Sequence, residues 1–364
     1  MRLSDRLGGK DNNLNLVRFV AAFAVLVSHS FVLSSGNSAD EPLRGLLGMS
    51  LGDLAVDVFF AASGFLVTRS LVERGNGIEF LWARLLRIYP ALIVMLVGTV
   101  LLAPFFGAHS LPVLLRLRET WRYLVMNFVL VRGVQFNLAG MFASAPWKDV
   151  VNGSLWTMTY ELRLYLSLLA LWWPLGIFPR RRKSLFKAFC VGIAVLALGW
   201  EIATLFLLRP EIAGQIDPVP RLVMMFYSGS VWWIASRKVA LDGRILVGSG
   251  VLVAAIWWMG NQHLAQLLVT LWTPYAVWWL AFVPRGSVLA FNRIGDASYG
   301  IYIYAFPLQQ MWAVTFPGRG PWAMIGWVGS ATVCLGFLSW HLLEKRALSL
   351  KSLPARLLPR LSRI

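Results

Sequence analysis

Long apolar segments recur along the whole of this 364-residue sequence. About 20 helical residues cross the hydrocarbon core of a bilayer, and a helix satisfies its own backbone polar groups there. The segments therefore predict an all-α membrane protein with about ten transmembrane helices. Their predicted bounds are 14–34, 51–72, 86–106, 155–175, 186–208, 220–236, 245–260, 264–283, 297–315 and 321–342.

The proportion of charged residues supports this class. Charged residues make up 14% of the chain and hydrophobic residues 58%, whereas soluble domains carry about 25% charged residues. A net charge of +17 would suggest nucleic acid in a soluble protein. Here the basic residues gather in short connectors, where they favour anionic lipid head groups. We therefore expect membrane lipids, and no nucleic acid, as partners.

The positions of the basic residues predict the orientation of the spans. An even number of spans puts both termini on one side. If that side is the cytoplasm, most of the 34 lysines and arginines lie at inner span ends or in the tails. Cytoplasmic lysine and arginine are the normal bias of membrane proteins. We therefore expect a multi-pass protein with both termini in the cytoplasm.

Two regions depart from the pattern of full spans. The apolar part of 112–150 covers only 121–131, which is too short to cross a bilayer. We expect a re-entrant or interfacial segment there, at the outer face. Residues 345–364 alternate basic and leucine-rich positions, which predicts a basic cytoplasmic tail on the inner membrane surface. The transmembrane domain would then cover 1–344.

The first apolar segment carries two ionisable side chains, Arg18 and His29. Each costs on the order of 3 kcal/mol in lipid, so such groups pair or function. Their separation of eleven residues returns to nearly the same helix face, with a rise of roughly 16 Å. One helix face is therefore predicted to present a buried cation and, toward the outer side, a group that transfers protons.

Two carboxylates lie at a similar predicted depth in other spans. Asp57 and Glu161 each occupy the seventh position from the outer end of a predicted span. An unpaired carboxylate in lipid would become neutral, and a histidine oriented by a carboxylate can accept a proton from a hydroxyl. We expect Asp57 and Glu161 to accompany His29, with Arg163 as the ion partner of one acid.

Arg84 and Arg87 lie three residues apart at the inner end of the third span. The inward bias of positive charge explains arginine there, but two guanidiniums on one face can also hold a phosphate. Both interpretations stay open on charge alone. Ser63 and Gly64 are expected to permit close helix packing. The histidines and cysteines lack metal-ligand spacing, so no metal is expected.

The order and spacing of these motifs resemble the acyltransferase-3 family, bacterial multi-span enzymes that O-acylate surface glycans and some small molecules. The matching segments are LNLVRFVAAFAVLVSHS, VDVFFAASGFLVTRSL, the Arg-x-x-Arg of 84–87, NGSLWTMTYELRLY, SYGIYIYAFPLQQ and HLLEKRALSLK. Many relatives have a histidine in the ninth span where this chain has Ala305, so no role is assigned there.

The resemblance implies an O-acyltransferase of the bacterial inner (plasma) membrane. Its donor would be acetyl-CoA or another acyl-CoA from the cytoplasm, with Arg84 and Arg87 on the phosphates and Arg18 and His29 as the catalytic pair. The acceptor would be a hydroxyl of a glycan or a lipid-linked saccharide; the oligomeric state is not indicated. The alternative is a polytopic transporter or flippase for such molecules, because charged groups within spans also mark substrate pathways.

Overall fold

A computed structural model describes residues 1–9, 11–107, 109–207 and 218–354. Within these ranges the chain is helical and forms no β-strand, which confirms the predicted all-α class. An isolated bridge between Arg2 and Ala240 joins the N-terminus to a connector.

The helices of twelve residues or more are numbered here in chain order. They are α1 (Leu14–Ser35), α2 (Leu51–Arg74), α3 (Gly77–Leu102), α4 (Arg118–Val129), α5 (Leu155–Trp172), α6 (Arg182–Phe206), α7 (Val219–Ile234), α8 (Gly243–Trp258), α9 (Gln262–Phe282), α10 (Ser298–Thr315) and α11 (Pro321–Ser339). Short α-helices cover Arg44–Leu47, Leu111–Leu114 and Lys345–Ser349, and a π-helical turn covers Trp340–Glu344. Short 3-10 helices cover Leu3–Arg6, Ser38–Asp40, Ala103–Phe106, Pro174–Ile177, Gly286–Arg293 and Leu350–Ser352.

Six helical segments in the described ranges are long and apolar enough to cross a membrane. They are Leu14–Ser35, Leu51–Arg74, Gly77–Phe106, Arg182–Phe206, Gln262–Phe282 and Pro321–Ser352. The other four predicted spans coincide with α5, α7, α8 and α10, which have 16 to 18 residues. The total of about ten spans therefore stays a prediction. Residue 208, the last of the predicted span 186–208, lies outside the described residues.

Close approach of α2 and α7 depends on two glycines. A Cβ atom built on Gly64 would lie 1.7 Å from the carbonyl oxygen of Phe226, and one on Gly229 would lie 2.1 Å from that of Ala61. Only hydrogen atoms fit at these points, so the two backbones pack directly against each other. The packing role expected for Ser63-Gly64 is confirmed at Gly64.

The stretch between α3 and α5 contains one helix of 12 residues, α4, which is about 18 Å long and shorter than a span. Residues 130–154 form turns and irregular backbone. Two amide side chains hold this loop to α10. Gln310 Nε2 donates hydrogen bonds of 2.7 Å to the carbonyl oxygens of Trp147 and Val150, and Asn152 Nδ2 donates one of 2.9 Å to that of Ile303. The depth of this segment in a membrane stays a prediction.

The predicted tail begins as a continuation of the last long helix. Residues 340–352 remain helical through the π turn and the two short helices that follow it. Trp82 Nε1 donates a hydrogen bond of 3.0 Å to the carbonyl oxygen of Leu350, which ties this part to α3. Residues 355–364 of the predicted tail lie outside the described residues.

Candidate active site in two neighbouring cavities

Helix α1 contributes an ionisable side chain to each of two cavities. Arg18 lines a cavity of about 380 Å³, here called the arginine cavity. His29 lines another of about 380 Å³, here called the histidine cavity. The pair predicted to share one face of a helix thus lies in two chambers rather than in one.

An ion cluster forms one wall of the arginine cavity. Asp296 Oδ2 accepts hydrogen bonds from Arg18 Nη1 at 2.5 Å and from Arg87 Nη2 at 2.6 Å. Arg87 Nη1 also donates to Glu344 Oε2 at 3.1 Å. Because these residues come from α1, α3, the connector before α10 and the π turn, the cluster holds four parts of the chain together.

Asp296 is ionised by its neighbours although it is only 7% exposed. Burial alone would raise the pKa of this carboxyl, but the guanidinium groups of Arg18 and Arg87 outweigh burial and lower the pKa to about 2. Ser298 assists by donating from its hydroxyl to Asp296 Oδ1 at 2.5 Å. The carboxylate therefore stays charged at physiological pH and neutralises much of the cluster.

Arg84 differs from Arg87 although both line the arginine cavity. Its guanidinium lies 5.9 Å from the ring centre of Tyr165. Among the described residues no carboxylate lies within 4 Å of it to form an ion pair, and its buried Nε has no hydrogen-bond partner there. Arg84 can therefore offer charge to a ligand, whereas the charge of Arg87 is already matched by two acids.

Glu161 also lies in the arginine cavity and not beside His29. Its carboxylate accepts hydrogen bonds from the hydroxyl of Ser63, at 3.3 Å, and from that of Tyr165. Arg163, expected to pair with an acid, instead donates from Nε to the carbonyl oxygen of Val131 at 3.0 Å.

Asp57 lines neither cavity and is fully buried. Its Oδ2 accepts a hydrogen bond of 3.4 Å from Arg221 of α7. The same guanidinium donates to Asp53 Oδ1 at 2.9 Å. The expected grouping of Asp57 and Glu161 around His29 is therefore not what the structure shows, because each acid faces a partner on a different neighbouring helix.

The histidine cavity has a different acid, Asp53, one helical turn before Asp57. Ser50 and Asp53 form a capping box at the start of α2, and this turn fixes the carboxylate at the end of the helix. Glu41 and Arg44 line the same cavity and pair with each other. The carboxylate of Asp53 can thus stabilise a positive charge on the imidazole of His29 electrostatically.

His29 has an unused hydrogen-bonding atom. Its Nδ1 is buried and has no partner among the described residues. The ring packs edge-on against Phe306, with 5.2 Å between ring centres. An imidazole in a cavity with a free nitrogen can accept a proton from a hydroxyl group.

Val56 and Tyr302 line both cavities and form what we call the partition. The hydroxyl of Tyr302 lies 2.5 Å from that of Thr157 and donates to the carbonyl oxygen of Ser154 at 3.0 Å. The Tyr302 ring packs against Phe59 at 5.7 Å between centres. Polar and aromatic contacts thus hold this side chain between the two chambers.

Comparison with known proteins identifies the class of enzyme. The family model for an acyltransferase domain matches residues 11–341. The chain belongs to the acyltransferase-3 family. It is 28% identical over 390 residues to nodulation protein 10 of Rhizobium leguminosarum bv. viciae, which covers 97% of this chain and 98% of that protein. It is 28% identical over 353 residues to the O-acetyl transferase of Shigella phage Sf6, covering 94% and 98%. No solved structure matches it significantly.

The protein is therefore an acyltransferase, and its long apolar helices make it a membrane protein. In the described part of this acyltransferase, no group of three or more histidine, cysteine or acidic side chains could hold a metal ion.

Three residues of this candidate site were not predicted from the sequence: Asp53, Asp296 and Tyr302. A signal existed for Asp296, because the arginines placed in or near spans need buried counter-ions. Asp53 is part of a recognisable capping box with Ser50. Tyr302 lies in a quoted family segment, but no pattern distinguishes it from its tyrosine neighbours.

Proposed function

We propose that this acyltransferase is an integral membrane O-acetyltransferase. It transfers an acetyl group from cytoplasmic acetyl-CoA to a hydroxyl of a glycan or glycoconjugate at the cell envelope. The observation that carries the proposal is the position of Arg18 and His29 on one helix, in two cavities that meet at the partition. The similarity to a protein named O-acetyl transferase supports it.

The donor would bind through its charged end. Arg84, which forms no ion pair with a described acid, would contact a phosphate of the CoA. Arg87 would hold the wall of the cavity through Asp296 and Glu344. The pantetheine arm would then extend along α1 toward the partition, over a distance comparable to the roughly 16 Å rise between Arg18 and His29.

The acetyl transfer follows from the groups around His29. The imidazole accepts the proton of the acceptor hydroxyl, and the oxygen attacks the thioester carbonyl carbon. The carbon–sulfur bond breaks, the ester forms, and the CoA thiolate takes the proton back. Asp53 stabilises the imidazolium through space, and Arg221 positions Asp53 and Asp57. Glu161 positions the donor arm through Ser63 and Tyr165.

The proposed orientation places the arginine cavity toward the cytoplasm. Ten spans, both termini inside and a basic tail at 345–364 follow from the distribution of lysine and arginine. A bacterial inner membrane would separate donor from acceptor, so the transfer crosses a compartment boundary.

The test uses purified protein in vesicles with radiolabelled acetyl-CoA, and mass analysis of surface glycans from cells. His29→Ala should lower glycan acetylation by on the order of 100-fold or more, whereas His263→Ala, at an exposed position, should leave it unchanged. Arg84→Gln should raise the KM for acetyl-CoA, with the exposed Arg74→Gln as control. Full activity of His29→Ala, or glycan transport without CoA release, contradicts the proposal.

A further inference from the structure

A third cavity, of about 840 Å³, has no role in the steps above. We call it the polar groove. It is lined by Arg118, Glu119, Arg122, Met126, Val134, Gln135, Phe136 and Asn137. Phe136 also lines the histidine cavity, so the polar groove adjoins the chamber of His29 at this ring.

The polar groove carries uncommitted positive charge. Arg118 and Arg122 lie four residues apart on α4, which places them on one helix face. Both are exposed, and within the described ranges neither has a carboxylate within ion-pair distance. The acid of the groove, Glu119, forms no ion pair with either arginine: its Oε1 accepts from Asn137 Nδ2 at 3.3 Å and from the backbone N–H of Ala139 at 3.1 Å.

One polar atom of the groove lacks a partner. Gln135 Nε2 donates to the carbonyl oxygens of Asn137, at 3.2 Å, and Glu119, at 3.5 Å, which fixes the amide. Its Oε1 is buried and accepts no hydrogen bond from any described residue. Such an atom costs about 1–3 kcal/mol when left unpaired. A hydroxyl group bound in the groove would satisfy it.

Phe136 completes the set of contacts. Its side chain is 37% exposed, and the backbone beneath it is held by a hydrogen bond of 2.8 Å from the N–H of Val151 to its carbonyl oxygen. A fixed, exposed ring offers an apolar face beside two cations and an amide acceptor. These three features match a ligand that has an apolar face, a negative charge and hydroxyl groups.

We propose that the polar groove binds the acceptor as an acidic saccharide. Arg118 and Arg122 hold a sugar carboxylate, Gln135 accepts a hydrogen bond from a sugar hydroxyl, and Phe136 packs on the unit that enters the histidine cavity. This inference rests on the proposed acyl transfer and specifies the class of its acceptor. A phospholipid phosphate would also attract the arginines, so the experiment separates the two ligands.

The test measures binding without catalysis. The protein is reconstituted in phosphatidylcholine vesicles and titrated with oligomers of galacturonate, of glucuronate and of sialate, and with their carboxyl methyl esters. We expect at least one acidic oligomer to bind, and its methyl ester to bind at least tenfold more weakly. Arg118→Gln and Arg122→Gln should each weaken acidic binding by roughly tenfold. Arg116→Gln, at an exposed arginine outside the groove lining, should not.

Several outcomes would overturn the inference. They are binding of no acidic oligomer, equal binding of acids and esters, and no effect of the two groove variants. Phosphatidylglycerol is titrated in the same way. If the two groove variants lose binding of this lipid and keep binding of the saccharides, the groove binds lipid. The same titrations on His29→Ala keep the two proposals apart: oligomer binding there tests the groove, whereas acetyl transfer by that variant tests the proposed function.

Discussion

The contact of Asp296 with Arg18 and Arg87 makes a quantitative prediction for Asp296→Asn. The substitution keeps the size of the side chain and removes its charge. The pKa of Asp296 is lowered from 3.8 to about 2, and this difference corresponds to about 2 kcal/mol in favour of the folded protein when the group is ionised. Removing one member of a buried ion pair costs about 3–5 kcal/mol. We therefore expect a loss of about 2–5 kcal/mol of stability.

The same contact predicts the direction of a pH effect. Because the pKa of Asp296 is lower in the folded protein than in the unfolded chain, its stabilisation is complete above about pH 4. It is lost as the pH falls through the folded pKa, near 2. The wild type should therefore converge on Asp296→Asn between pH 4 and pH 2. Other acids titrate in both proteins, so the difference between the two isolates Asp296.

Thermal unfolding in detergent measures this difference, with the fluorescence of the 18 tryptophans as the signal. Unfolding temperatures are recorded from pH 2 to pH 8 for the wild type, Asp296→Asn and the exposed control Asp11→Asn. Asp296→Asn should unfold at clearly lower temperature at pH 7, and Asp11→Asn should not. Equal unfolding temperatures of the wild type and Asp296→Asn across this range would refute the reasoning.

Three further substitutions test the packing and the partition. Gly64→Ala places a Cβ 1.7 Å from the carbonyl oxygen of Phe226. We therefore expect a lower unfolding temperature and a poor yield of folded protein by size-exclusion chromatography. Gly98→Ala, which has open space around its Cβ, should behave as the wild type. Tyr302→Phe removes both hydroxyl contacts and keeps the ring, so the rate of CoA release without acceptor should rise. An unchanged rate of CoA release would argue against a role of Tyr302 in separating the cavities. Val56→Trp fills the partition, so acetyl transfer should fall while acetyl-CoA still binds in an equilibrium assay.

The sequence predicts which segments are helical better than it predicts which neighbours their side chains face. Apolar runs locate the long helices, and Arg18 and His29 both lie on α1, as their shared apolar run predicts. The rotation of each helix about its axis is decided by its neighbours. Asp57 faces α7 because Arg221 lies there, and Glu161 faces Ser63 and Tyr165.

Site residues in the connectors between helices are harder to predict from the sequence. Asp296 lies between a 3-10 helix and α10, where hydrophobic patterns say nothing about burial. Its role depends on arginines 278 and 209 positions away in the chain. Such a long-range contact leaves no local signal, although a chain with several intramembrane arginines must supply acids somewhere.

The partition also bears on the membrane as an electrical insulator. A bacterial membrane stores energy as a gradient, worth about 2.3 kcal/mol per elementary charge for each 100 mV. A polar passage along α1 from Arg18 to His29 would conduct protons down that gradient. Val56 and the hydrogen-bonded Tyr302 line both cavities. In the proposed transfer they would block this passage, so an acetyl group would cross without discharging the proton-motive force.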